Sequence, residues 1–356
     1  MSTANQRLQS LDALRGLDTA LIIGLSTTLW GVYSICPSPF WEDVRYHMGH
    51  AAWEGLRVYD LIFPLFVYLS GISLNFSVRK RMGMGAGNGK LLLHMWGRAL
   101  ILVLLGILVN GPLLWDADKI RCASVLGLIG LSGALAGSLV LMVRKTWGVA
   151  TSAALILISV FLMQYLGGDL TPSGCFNAKV DAALCPGKLH YRYIDPEGPL
   201  CILSATALAL AGYLSGRAFS PADGAARRIL ILSISGSIAI VIGLLGPCIK
   251  NIWTPCFVLI CGGIGALLIV VFHLIIDVCK FSKWAWPLKV IGSNALFIYL
   301  FTHIIEFGHL TNRIFGGTIH ELFSKSWYTT AFGMAYFVLA WLICYVLYRN
   351  RIFVKV

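Results

Sequence analysis

Apolar runs of about 20 residues, the length a helix needs to cross a bilayer, recur along almost the whole of this 356-residue chain. No other feature constrains its fold as strongly, because in lipid the backbone must satisfy its own hydrogen bonds. Hydrophobic residues make up 58% of the chain and charged residues 12%, which excludes an ordinary soluble domain. The alternating ten-residue pattern of a membrane β-barrel is absent. The expected fold is therefore all-α: a polytopic membrane bundle of about ten helices. The runs fall at 17–36, 57–77, 91–111, 122–142, 147–166, 199–218, 229–248, 254–276, 286–306 and 328–347. No soluble domain or low-complexity linker interrupts them, so residues 1–356 read as one membrane domain. Arg7 and Arg15 precede the first run, which lacks a small-residue cleavage site and reads as a retained span.

An even number of spans places both termini on one side. The formal net charge is +12, and it is unevenly distributed. Arg79, Lys80, Arg81, Arg144, Lys145, Arg217, Arg227, Arg228, Arg349 and Arg351 lie in one set of loops, against only Asp12 and Asp223. The alternate loops carry Glu42, Asp43, Glu54, Asp116, Asp118, Asp169, Asp181, Asp195 and Glu197. By the positive-inside rule both termini are cytoplasmic. The loops holding His50 and residues 167–198 then face outward, into the periplasm of a bacterium whose inner membrane holds the chain. The same rule accounts for the positive charge without nucleic acid as a partner.

Gly83 to Gly89 is rich in glycine but follows no strand, and it reads as a cytoplasmic turn rather than a phosphate loop. The ten cysteines are scattered, with no metal-ligand spacing. Cys175 and Cys185 share one outward loop, where a disulfide is an open alternative to two free thiols.

Ionisable and amide groups concentrate at the outer ends of the spans. They are His50, Asp60, Arg121, Asp195, Glu197, Lys250, Asn251, Asn294, His303 and Glu306. A charge inside a membrane helix costs about 2–3 kcal/mol or more, so such a set reads as the wall of a shared polar cavity. In His50-Ala-Ala-Trp-Glu-Gly-Leu-Arg-Val-Tyr-Asp60 a loop histidine precedes a carboxylate at the start of an apolar run. His50 is expected as general base or nucleophile and Asp60 as its orienting carboxylate; the alternative is an interfacial histidine beside the belt residue Trp53. Asp195 and Glu197 also fit ordinary caps of the following helix. Lys250 in its short turn is either solvated or directed at a polarised oxygen. Tyr299, His303 and Glu306 share a helix face. Arg98, in the third span, either snorkels or binds phosphate.

Taken in order, several of these segments resemble the heparan-α-glucosaminide N-acetyltransferase family of membrane acyltransferases, and especially its bacterial members. The matching pieces are Leu11-Asp12-Ala13-Leu14-Arg15-Gly16, His50 through Phe66, Arg98, Arg121 with Val125-Leu126, and Asp195-Pro196-Glu197-Gly198. Lys250-Asn251-Ile252-Trp253-Thr254-Pro255, Gly292-Ser293-Asn294-Ala295-Leu296 and Tyr348-Arg349-Asn350-Arg351-Ile352-Phe353 complete the set. The chain departs from the family where Val125-Leu126 continues as Gly127-Leu128 instead of Gln-Arg. It departs from the family's animal members where their asparagine late in span one is replaced by the Ser26-Thr27 region.

The resemblance implies transfer of acetyl from cytosolic acetyl-CoA to an amino sugar, such as a glucosamine-type glycan, on the far side of the membrane. It puts the catalytic histidine at His50, with Asp60 beside it. Arg98 and Arg121 are then expected at the acetyl-CoA site. Trp53, Glu197, Lys250, Asn251, Asn294 and His303 are expected at the acceptor, with Lys250 or Asn294 stabilising an oxyanion, and no metal is needed. Two alternatives stay open: O-acylation of a surface glycan, and a proton-coupled transporter without chemistry. The oligomeric state, a homodimer included, is open as well.

Overall fold

The computed structural model describes residues 8–111, 120–219 and 224–354. Arg7, Asp116, Asp118 and Asp223 lie outside the described residues. Helices dominate what is described. In chain order they are α1 (Gln9–Ala20), α2 (Ser26–Val32), α3 (Pro39–His47), α4 (Ile62–Gly83) and α5 (Asn88–Val109). Next come α6 (Val125–Val143), α7 (Thr146–Gly167), α8 (Phe176–Leu184), α9 (Pro199–Ala218) and α10 (Ala225–Gly243). The last are α11 (Pro255–Phe272), α12 (Trp286–Ser293), α13 (Ala295–Ile304), α14 (Phe307–Leu322) and α15 (Tyr328–Arg349). Among the described residues, eight helices are long and apolar enough to cross a membrane. The chain is thus a multi-pass α-helical membrane protein.

Of the ten runs expected from hydropathy, eight correspond to these long helices. The other two are broken, each for a local reason. Across 17–36, α1 and α2 are joined by a π-helical turn, Leu21–Leu25, in which Gly24 has φ +112°, a region open to glycine but not to most side chains. The Ser26 hydroxyl donates to the Leu21 carbonyl at 2.7 Å and that of Thr28 to the Gly24 carbonyl at 2.9 Å, fixing the bulge. Across 286–306, α12 and α13 are separated at Asn294, whose φ of −131° is not helical.

Starts of helices follow from their sequences. Ser38 accepts from the Trp41 N–H ahead of α3, with Pro39 at its first position. Ser124 accepts from the Gly127 N–H at 3.0 Å to open α6. Helix α14 replaces an expected outer loop. Its polar residues His309, Asn312, Arg313 and His320 mask a buried face formed by Phe307, Thr311, Gly316 and Ile319.

The chain forms two compact units. One comprises the described parts of Met1–His50, Arg57–Ile62 and Leu268–Lys355. In it, Gly16 of α1 meets the Leu288 backbone of α12, and Gly292 of α12 meets the Asp12 carbonyl of α1; a Cβ at either glycine collides with that backbone. Small residues let helices approach this closely in a membrane. Its core includes Ala20, Ile23, Ile291, Ile298, Phe307 and Cys344.

The other unit comprises the described parts of Ala51–Leu56 and Phe63–Leu267. Here Gly71 of α4 abuts the Ala209 backbone of α9, and Gly212 of α9 abuts that of Tyr68. The Tyr68 hydroxyl, buried with its ring, bonds to Ser215 Oγ at 2.6 Å across the same seam.

Candidate active site

Asp60 closes a short 3₁₀ turn, Val58–Leu61, that leads into α4. Its Oδ2 accepts from the Arg57 N–H at 3.1 Å, while its own N–H donates to the Arg57 carbonyl at 3.0 Å. The carboxylate is therefore fixed by local backbone geometry. Its other oxygen, Oδ1, lies 2.7 Å from His50 Nδ1. Asp60 is fully buried, and the His50 imidazole is 53% exposed. A carboxylate at Nδ1 places the ring proton on that nitrogen and leaves Nε2 as the basic one.

The surroundings of this pair are ordered as well. The Tyr59 ring lies 4.9 Å from that of His50. Arg57 stacks on Tyr46 at 3.9 Å from the ring centroid, and its Nη1 donates to the Tyr46 carbonyl.

In the second unit Arg121 forms a fork onto Asp195. Nε donates to Oδ2 at 2.7 Å and Nη2 to Oδ1 at 2.6 Å. The same Nη2 contacts Glu197 Oε2. Asp195 accepts further from the His190 and Glu197 N–H groups, each at 3.0 Å, and its own N–H donates to Asp181 Oδ2 at 2.8 Å. Thus one guanidinium faces two carboxylates with a third behind them.

Burial works against the Asp195 carboxylate, but the bonds and charge of Arg121 outweigh it and hold its pKa below the usual range. Glu197, with one shared guanidinium nitrogen, is left as the proton acceptor of the pair. Burial pushes its pKa up to about 7, with Asp195 adding to the rise. Burial raises Asp181 to about 6. Acids shifted toward neutrality are groups suited to proton transfer.

The turn between α10 and α11 is tied to this cluster. The Cys201 thiol lies 3.9 Å from both the Asp195 and the Asn251 carbonyls. Thr254 Oγ1 accepts from the Ile249 N–H and donates to the Pro247 carbonyl. Trp253 adopts a left-handed conformation, φ 47° and ψ 55°, and is buried edge-on between Phe63 and Phe257. A non-glycine residue held in this region marks a position that its surroundings over-determine.

Lys250 is half-buried and Asn251 buried in this turn. Trp53 packs against Ile249 and Ile252 and donates its indole N–H to the Leu170 carbonyl at 2.8 Å. Gln164 and Asn177 hold the turn from beneath: Gln164 Nε2 donates to Asn177 Oδ1 at 3.0 Å and to the Ile252 carbonyl at 2.7 Å. Sequence reasoning missed this pair; its signal was a lone glutamine closing the apolar run of α7.

Arg98 lines a different pocket of the same unit, with a volume of roughly 160 Å³, together with Arg81, His94, Ser77 and Gly133. Arg81 Nη2 lies 2.8 Å from His94 Nε2. A Cβ at Gly133 meets no atom within 4 Å, so the pocket wall is open there.

Four of the expected residues and pairs are placed as follows. Arg121, expected at the acetyl-CoA site, is paired with Asp195 and Glu197. The Asn294 Nδ2 donates to the Ile352 carbonyl at 3.0 Å and its Oδ1 accepts from the Val354 N–H at 2.9 Å. The side chain fastens the C-terminal tail. His303 is exposed, with Nδ1 against its own helix at the Tyr299 carbonyl. Cys175 and Cys185 are free thiols. They cap the two ends of α8, and a rise of about 1.5 Å per residue puts them well beyond the roughly 7 Å that a disulfide spans.

No family model matches the chain. Comparison with curated proteins, in contrast, gives a consistent relative. The chain is similar to heparan-alpha-glucosaminide N-acetyltransferase. The Homo sapiens protein of that name is 24% identical over 429 residues, covering all of this chain and 61% of its own length. The Mus musculus protein is also 24% identical, over 376 residues, covering 86% of this chain and 54% of its own length. The chain thus spans less than two thirds of either acetyltransferase. The similarity agrees with the resemblance carried by the sequence motifs.

Proposed function

We propose that the chain is a transmembrane acetyltransferase that moves acetyl from cytosolic acetyl-CoA to an amino sugar on the opposite face of a plasma membrane. The observation that carries this reading is the 2.7 Å contact between His50 Nδ1 and a fully buried Asp60 carboxylate. The acetyltransferase relatives support the chemical class.

Acetyl-CoA supplies an acyl group activated as a thioester. The residues of the Arg98 pocket fit such a donor. Arg81, His94 and Arg98 offer cationic or donor groups for phosphates, and the unfilled space at Gly133 suits a thin chain.

His50 Nε2 takes the proton of the attacking amine as its nitrogen bonds to the acetyl carbon and the carbon–sulfur bond breaks. Asp60 keeps the imidazole in the tautomer that can do this and stabilises the imidazolium that results. Trp53, Lys250, Asn251 and Glu197 serve the acceptor. Glu197 suits that task because an acid titrating near 7 accepts a hydrogen bond or an ammonium proton without carrying a permanent buried charge. The basic loops face the cytoplasm and the His50 loop the outside.

The test uses the purified full-length chain in detergent with acetyl-labelled acetyl-CoA, a glucosamine-terminated glycan, and the same glycan lacking the amine. Label on the amine-bearing glycan alone supports the proposal. Label on both acceptors moves the acceptor to a hydroxyl. Absence of acetyl-CoA binding overturns it.

A further inference from the structure

The face of α4 turned away from the Arg98 pocket borders a second cavity, of roughly 360 Å³. Asn75, Val78, Arg79 and Met82 form one stripe of α4 at helical spacing, and Ser70, Ser77 and Arg81 form the other. Arg144, just past α6, and Tyr213 and Arg217 of α9 complete the cavity.

Three arginines thus line one small space, and among the described residues no acidic residue lines it with them. Asn75 is 1% exposed, yet neither its Nδ2 nor its Oδ1 has a hydrogen-bond partner in the protein. Buried amides are satisfied by protein, water or ligand, because leaving one unsatisfied is costly.

The backbone of Arg144 adds an independent observation. Its φ of 57° with ψ −34° lies outside the regions that side-chain-bearing residues favour. Arg217 Nη1 donates to the carbonyl of this same residue at 3.3 Å. A strained residue lining the cavity is thereby bonded to a second arginine that lines it.

We propose that this cavity is a phosphate-binding site, distinct from the Arg98 pocket and independent of the transfer chemistry. Planar guanidinium forks match phosphate oxygens. The Asn75 amide supplies N–H donors and a carbonyl acceptor, which suits a ligand with a hydroxyl close to its phosphate. Val78, Met82, Val140 and Leu141 give the cavity an apolar wall. An anionic lipid headgroup and a soluble phosphate ester share this chemistry.

The experiment measures thermal stabilisation and native-mass-spectrometric binding on the delipidated full-length protein. The probes are dioctanoyl phosphatidylglycerol and glycerol 3-phosphate. Wild type is compared with Arg79→Gln/Arg217→Gln, with Asn75→Ala and with Arg98→Gln. The proposal expects at least one probe to bind wild type, with affinity reduced about tenfold or more in the double variant and in Asn75→Ala, and retained in Arg98→Gln. If the double variant fails to fold, Asn75→Ala carries the comparison. Binding of the lipid alone assigns the headgroup as the source, and competition by glycerol 3-phosphate assigns the soluble ester. The proposal is overturned if neither probe binds, if the cavity variants bind as wild type does, or if Arg98→Gln abolishes binding equally.

Discussion

His50 Nδ1 lies 2.7 Å from one oxygen of Asp60, and the other oxygen of that carboxylate caps the turn that begins α4. The carboxylate is thus placed by the fold before any substrate arrives, and the imidazole takes its orientation from it.

Asp60→Asn keeps an oxygen for the Arg57 N–H but no longer fixes the imidazole tautomer. The expected outcome is a fall in kcat of about 100-fold or more with KM little changed. Steady-state transfer assays check this. Asp60→Ala is expected to lose the cap as well, lowering stability by about 1 kcal/mol.

Arg121 joins two carboxylates, one of them fully buried, through a bidentate fork. Arg121→Gln leaves those acids without a countercharge and is expected to cost about 3 kcal/mol or more. A lowered Tm in detergent reports it. Arg121→Lys is expected to recover only part of the loss, since an ammonium cannot reproduce the fork.

The Glu197 carboxyl rises from 4.5 to about 7 in the folded chain, chiefly through burial. Between those pH values the folded state holds a proton that the unfolded state has released. Stability contributed at this group is therefore present at low pH and falls as pH rises from 4.5 to about 7. Asp195, depressed by Arg121, acts in the opposite sense and loses its contribution as pH falls through its folded-state pKa. Glu197→Gln is expected to flatten the decline of Tm over this window; an unchanged profile contradicts the assignment.

Much of this was legible in the sequence, because apolar length and charge sign are local properties. The long helices followed from runs of the right length, and the His50–Asp60 pair from a histidine close to a carboxylate at a span's start. Partners distant in the chain were not legible. Nothing local at Arg121 announced Asp195 and Glu197, and nothing at Asn294 announced the tail at Ile352 and Val354. Helix α14 escaped because its polar residues mask a buried face, and the choice between a Cys175–Cys185 disulfide and two free thiols stayed open in the sequence because the helix that separates the two was not legible there.

That helix gives a further test. Cys175 and Cys185 are expected to alkylate as free thiols under non-reducing denaturing conditions, each with its full mass increment in peptide mass spectrometry. A linked peptide pair contradicts the helical spacing of α8.

Gly133 faces open space beside Arg98. Gly133→Leu is expected to weaken acetyl-CoA binding about tenfold while Tm stays near the wild-type value, since leucine is the better helix former. Equilibrium binding of labelled acetyl-CoA measures it.

The most direct measurement is acetyl transfer from labelled acetyl-CoA to a glucosamine-terminated glycan by His50→Ala, beside wild type, with and without added imidazole. The expected result is a fall of about 100-fold or more, at unchanged Tm and acetyl-CoA affinity, with partial recovery on adding imidazole. Transfer at the wild-type rate by a folded His50→Ala protein contradicts it.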